Sequence, residues 1–174
     1  MRTHPCAPAA VRTAVVVTVA VVVAALAGGC TGGGGEPTPV TPRSQTRTLS
    51  PGDPATYAGE LFAWTNAMRA DEGVTAVVES SCAQVAALQR ADALVGAVEL
   101  THASLTEVIT QCAPESTAAE NLSRAAAEPA DVMAGWMQSS GHRSNLLDPE
   151  LTELGVGCVL DGAEMLCSQV YLGP

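Results

Sequence analysis

The chain has 174 residues, with eight basic side chains, all arginine, against eighteen acidic ones, and a net charge of −10. So acidic a surface repels phosphate backbones and anionic headgroups, which argues against nucleic acid as a partner. Its six cysteines and three histidines are few enough to be followed one by one.

Arg2 and Arg12 bracket a positive start, Ala14 to Leu26 is apolar, and Ala27-Gly28-Gly29-Cys30 is small. A charged start, a short apolar stretch and a small-residue exit describe a secretory signal. The apolar stretch is shorter than the roughly 20 residues of a membrane span. Leu26-Ala27-Gly28-Gly29-Cys30 also resembles the lipobox of bacterial lipoproteins, which implies cleavage before Cys30 and a lipid on its thiol. Residues 1–29 are then a signal peptide, and the protein sits outside the cytoplasm, held to the cell membrane by that lipid. Arg2 and Arg12 leave with the signal, so six arginines face eighteen acids, a net −12. Membrane contact is expected from the acyl chains rather than from a basic patch.

From Thr31 to about Pro54 the sequence is dominated by Gly, Pro, Ser and Thr, with too little apolar surface to form a core. Residues 30–52 read as a tether, about 25 Å end to end if it behaves as a flexible coil. Residues 53–174 make one domain of ordinary size. Its first helix is read from Ala58 to Gly73, where Leu61, Trp64, Thr65 and Met68 keep three-and-four spacing and Gly73 is the stop. A second helix runs from the capping serines Ser80 and Ser81 to about Gly96 and carries Cys82, Val85 and Leu88. A short third begins at Ser104, where Ser104 and Glu107 have the spacing of a capping box. The fourth starts at Asp131 as cap and sets Val132, Met133, Trp136 and Met137 on one side. Trp136 and Met137 are expected in the core.

After Pro149 the pattern changes to period two. Glu153–Leu160 and Ala163–Leu172 flank Asp161-Gly162, a hairpin signal. A weaker strand pattern lies near Glu120–Ser123. Cys6 leaves with the signal and Cys30 goes to lipid, so four cysteines remain, enough for two disulfides with three possible pairings. They contain no CxxC spacing, which argues against a structural zinc site. A turn at Asp161-Gly162 would set Cys158 and Cys167 diagonally, too far apart for a relaxed bridge. A turn at Gly162-Ala163, or a loop from Asp161 to Glu164, sets them opposite each other. The favoured pairing is Cys158–Cys167 with the shifted turn, accompanied by Cys82–Cys112.

His4 also leaves with the signal, so His102 and His142 are the two histidines of the domain. By spacing alone each reads as a surface or helix-terminal residue, His142 finishing the fourth helix, where the dipole favours it. No HExxH motif supports a metal site. Asn145 reads as closing a turn, and Arg143 as capping carbonyls or pairing with an acid such as Glu153. Ser139 lies near His142, but no Gly-x-Ser-x-Gly elbow is present and it is not assigned as a nucleophile.

The stretch Gly135–Gly157, GWMQSSGHRSNLLDPELTELGVG, follows NAMRADEG, LTHASL and AENL in a fixed order. This set resembles the CAP superfamily of cysteine-rich secretory proteins, antigen 5 and pathogenesis-related 1, in its short bacterial branch, over about Tyr57 to Leu172. The resemblance implies an α+β fold, an α-β-α sandwich with a small antiparallel sheet between helices. It implies a cleft lined by His102, His142 and Glu120, with Asn121 bracing the loop that carries Glu120. The family's Gly-Glu-Asn is Ala119-Glu120-Asn121 here, and its second cleft glutamate has no counterpart.

Two imidazoles and a carboxylate could hold a zinc-like ion with one position open, or could hydrogen-bond a polar group directly. The expected function is a lipid-anchored, non-enzymatic binding module whose cleft takes a lipid, a cell-wall fragment or a protein. The alternative is a metal-assisted hydrolase, with His102 and His142 as ligands and Glu120 as ligand or general base.

Overall fold

The computed structural model describes residues 52–174. The signal peptide, the lipid site at Cys30 and nearly all of the tether lie outside the described residues.

Nine elements follow in chain order: α1 (Pro54–Asp71), β1 (Val78–Glu79), α2 (Ser81–Ala93), α3 (Thr106–Gln111), β2 (Thr117–Ala125), α4 (Pro129–Gln138), α5 (Ser140–Leu147), β3 (Glu153–Asp161) and β4 (Glu164–Gly173). The strands form one sheet in the order β1-β3-β4-β2. β2, β4 and β3 are antiparallel neighbours, whereas β1 lies parallel to β3. The sheet is therefore mixed rather than purely antiparallel, because the two-residue β1 adds at the edge beside β3 and runs in the same direction.

Helices cover both faces, giving the α-β-α sandwich. On one face Leu61 of α1, Met133 and Trp136 of α4 and Leu146 of α5 meet Leu154, Val156, Met165 and Tyr171. On the other, Ala83, Ala86 and Ala87 of α2 and Val108 of α3 meet Val170 and Leu172. The second interface is close because small residues meet glycines. A β-carbon at Gly155 would lie 2.1 Å from the backbone of Ala83, and one at Gly157 would lie 2.3 Å from Leu88 N. Only glycine lets α2 approach the sheet this closely.

Local signals place the helix ends, with some shifts. α1 starts four residues earlier than its apolar spacing indicates, because the Asp53 carboxylate accepts from Thr56 N (2.8 Å) and Pro54 sits in the first turn. Gly73 stops it at φ +73°. α3 lacks the capping box. The Ser104 hydroxyl accepts from Thr106 N (3.2 Å), two residues on, so the helix begins at Thr106. α4 begins at Pro129, with Glu128 as N-cap, and Asp131 lies inside its first turn. The largest difference is α5. The small residues after α4 break it at Ser139 and open a new helix, which carries His142 in its first turn and Asn145 in its middle. His142 begins a helix rather than finishing one, and Asn145 closes no turn.

The hairpin pairs Asp161 with Glu164, so Gly162-Ala163 is the turn, with Gly162 at φ +65° and Cys158 opposite Cys167. Gly162 supplies the left-handed conformation, and a two-residue loop beginning with it suits the twist of the strands. Both bridges form as paired above, Cys158–Cys167 within the hairpin and Cys82–Cys112 from the start of α2 to the end of α3.

A buried cation holds the loops at one end. Arg69 is 1% exposed and donates to four carbonyls: Thr75 O (2.6 Å), Leu146 O (2.9 Å), Asp148 O (3.0 Å) and Leu151 O (3.1 Å). It thereby ties α1 to the loop entering β1 and to the α5–β3 connection. Burial holds its pKa below the ordinary arginine value.

Candidate functional site

Glu120 and Asn121 are neighbours on β2, and alternation sends their side chains to opposite faces of the sheet. Glu120 faces α2. Its carboxylate accepts from Arg90 Nε (2.8 Å, Oε1) and Arg90 Nη2 (2.8 Å, Oε2), a two-pronged pair, and from the Ser168 hydroxyl (3.0 Å, Oε1). The third partner, and the fourth donor atom, is His102 Nδ1, 2.8 Å from Oε2. An ionised carboxylate only accepts, so His102 Nδ1 carries the proton in this contact. Burial alone would raise the Glu120 pKa. Hydrogen bonds from Arg90 and His102, the Arg90 charge and the Ser168 bond outweigh it and hold the carboxyl below the usual range.

Asn121 faces α5. Its amide donates to His142 O (3.3 Å) and Gln169 Oε1 (3.3 Å), while Asn145 Nδ2 donates to Asn121 Oδ1 (3.0 Å) and to Glu120 O (3.2 Å). Asn121 and Asn145 together lash the start of α5 to β2, and so position His142 beside the strand. Glu120 lies in this regular strand and not in a loop. Ala119 therefore needs no positive φ, and among the described residues only glycines have one. The network continues inward: Gln169 Nε2 donates to Thr65 Oγ1 (2.9 Å), and Tyr171 Oη donates to Gln169 Oε1 (3.0 Å).

The two imidazoles differ in setting. His102 lies in the segment between α2 and α3, with its side chain 57% exposed. His142 is half-buried, its ring centroid 6.3 Å from that of Trp136. Burial first, and the neighbouring His102 second, hold the His142 pKa below the ordinary value. Arg143, read from the sequence as capping carbonyls or pairing with an acid such as Glu153, does pair with an acid, but it is Glu72 at 3.0 Å.

No group of three His, Cys, Asp or Glu side chains among the described residues is arranged to share a metal ion. The Glu120 oxygens are already taken by four donors, so the residues as placed do not fit a zinc site. The functional partners that sequence patterning missed are Arg90, Ser168, Asn145 and Gln169. Ser168 and Gln169 sit in an apolar β-pattern that gives no sign of a polar role. Arg90 had one faint signal, an arginine near the end of a helix whose small side chains mark close packing.

Comparison with known proteins follows the same outline. The model of the cysteine-rich secretory protein family, CAP, matches residues 62–171. Bacillus subtilis YkwD is 40% identical over 57 residues, 33% of this chain and 21% of that protein. An extracellular protein with an SCP domain from Bacillus anthracis superposes with a TM-score of 0.60 at 22% identity, covering 69% of this chain and 41% of that one. An outer surface protein of Borrelia burgdorferi superposes with a TM-score of 0.64 at 13% identity, covering 70% and 95%. The chain thus spans about a fifth of the length of YkwD and about two-fifths of the Bacillus anthracis chain.

Proposed function

Because the chain belongs to the cysteine-rich secretory protein (CAP) family, we propose that it works outside the cytoplasm as a lipid-anchored binding module. Its ligand, a lipid, a cell-wall fragment or a protein, rests against His102 and His142, and no catalysis takes place there. One observation carries the reading: every strong acceptor position of Glu120 is occupied by Arg90, Ser168 and His102. A general base needs a carboxylate free to take a proton, with its pKa raised toward the working pH. Glu120 has the opposite properties and acts as a positioning residue for His102. Burial of His142 disfavours its charged form, so that ring suits a hydrogen-bonding ligand better than an anion.

The location rests on the signal-like start, on two disulfides of the kind that persist in oxidising compartments, and on the extracellular and outer-surface descriptions of the Bacillus and Borrelia neighbours. Palmitate labelling of the full chain tests the anchor, and label retained after Cys30→Ser would refute it. Calorimetry with lipid vesicles and solubilised wall fragments tests the binding, with His142→Ala expected to weaken it. Hydrolytic turnover without binding would replace the reading with the hydrolase alternative. That alternative also requires zinc to raise the melting temperature of the wild type but not of His142→Ala.

A further inference from the structure

A recess lies beside this site, between α2 and α3, with a volume of about 490 Å³. This is within the range of roughly 300–1,000 Å³ seen for small-ligand sites. Its lining includes the buried, apolar Ala86 and Val108 and the exposed Ala103. Its rim carries the side-chain amides of Gln89 and Gln111 and the carboxylate of Glu107. The side-chain hydrogen bonds of this corner run within Ser104, Thr106 and Thr110, leaving those three rim groups free of described partners. The Cys82–Cys112 bridge ties α2 to the end of α3 and so holds the two walls at a fixed separation.

We infer that this recess takes a neutral saccharide bearing hydroxyl and amide groups. The reasoning is chemical. Each glutamine amide offers donors and an acceptor on one rigid head, the combination that hydroxyl and acetamido groups answer. The apolar Ala86 and Val108 suit the C–H face of a sugar ring. An anion is disfavoured, because Glu107 is on the rim and the one cation at the wall, Arg90, is already matched by Glu120. Flat aromatic ligands are disfavoured because no aromatic side chain lines the recess. Ala103 follows His102 directly, so an oligosaccharide seated here reaches toward the exposed His102 ring. The inference rests on the binding-module reading and supplies its ligand class.

The test titrates triacetylchitotriose into the isotope-labelled full chain and follows backbone amide resonances. A shallow recess without an aromatic platform implies a Kd of about 1 mM, so saturation is expected by about 10 mM. Shifts should centre on Gln89, Glu107 and Gln111. The exposed double substitution Gln89→Ala, Gln111→Ala should weaken binding about tenfold or more, from two lost hydrogen bonds, while the remaining spectrum stays that of the folded chain. An anionic uronic-acid trimer of the same size should leave these resonances unmoved, and equal or stronger binding by it overturns the ligand class. Shifts confined to the surroundings of His142 overturn the recess while sparing the binding module. No saturable shift anywhere overturns the recess and counts against a glycan ligand for the module as a whole.

Discussion

Replacing Glu120 by glutamine changes one oxygen to an NH2 group and removes one charge. The wild-type side chain is 1% exposed and accepts from Arg90 twice, from Ser168 and from His102. Glutamine keeps one acceptor oxygen and turns the other position into a donor, which then faces two donors. Two charge-assisted hydrogen bonds are lost, each worth about 1.5–3 kcal/mol. Arg90 is 17% exposed, so water recovers part of the loss. The net cost is about 3 kcal/mol, or a fall in melting temperature of roughly 12 °C for a domain of this size.

Urea denaturation at pH 7 measures it. The pH dependence makes the test sharper. The folded Glu120 pKa is depressed, so its contribution is fully present above the unfolded carboxylate value, near 4.3, and is lost as pH falls through the lower folded value. The stability gap between wild type and Glu120→Gln should therefore be constant from pH 7 to about pH 5 and close in stronger acid. A gap under about 1 kcal/mol at pH 7, or one that does not close, would mean that the carboxylate is not the charged hub described above.

Arg69→Met should cost about 3 kcal/mol, because two buried and two partly buried carbonyls lose their donor at once; a loss near 1 kcal/mol in denaturant titration would show that they are satisfied in another way. Gly157→Ala places a methyl group 2.3 Å from Leu88 N and must push α2 off the sheet. The expected cost is about 1–3 kcal/mol, with the largest amide shifts along α2 and an unchanged spectrum refuting the close approach. His142 should titrate below the ordinary histidine value in an NMR pH series and move upward in His102→Asn. An unmoved His142 would place the two rings too far apart to share a ligand.

Much of this molecule is written in local patterns. Leu61, Thr65 and Met68 mark α1, Val132, Met133 and Trp136 mark α4, and the alternation after Pro149 marks the hairpin, because period and burial are properties of short segments. Even the hairpin register is legible, since a Cys158–Cys167 bridge needs the turn shifted to Gly162-Ala163 or a loop from Asp161 to Glu164, and the first of these forms. The order of the motifs singled out His102, Glu120, Asn121 and His142, of which the structure joins His102 to Glu120 and Asn121 to the backbone of His142. The rest depended on partners distant in sequence. α5 carries a polar, glycine-containing sequence and is held to β2 by Asn121 and Asn145. β1 is two residues long and exists because β3 accepts it.

The saturation of Glu120 was out of reach for the same reason. Its donors come from α2, β4 and the segment before α3, between 18 and 48 positions away. Sequence alone fixes which side chains are available and the period on which each segment turns its apolar face. Whether a carboxylate is free to act or is held by four donors depends on distances between segments, and those are set only when the helices close on both faces of the sheet.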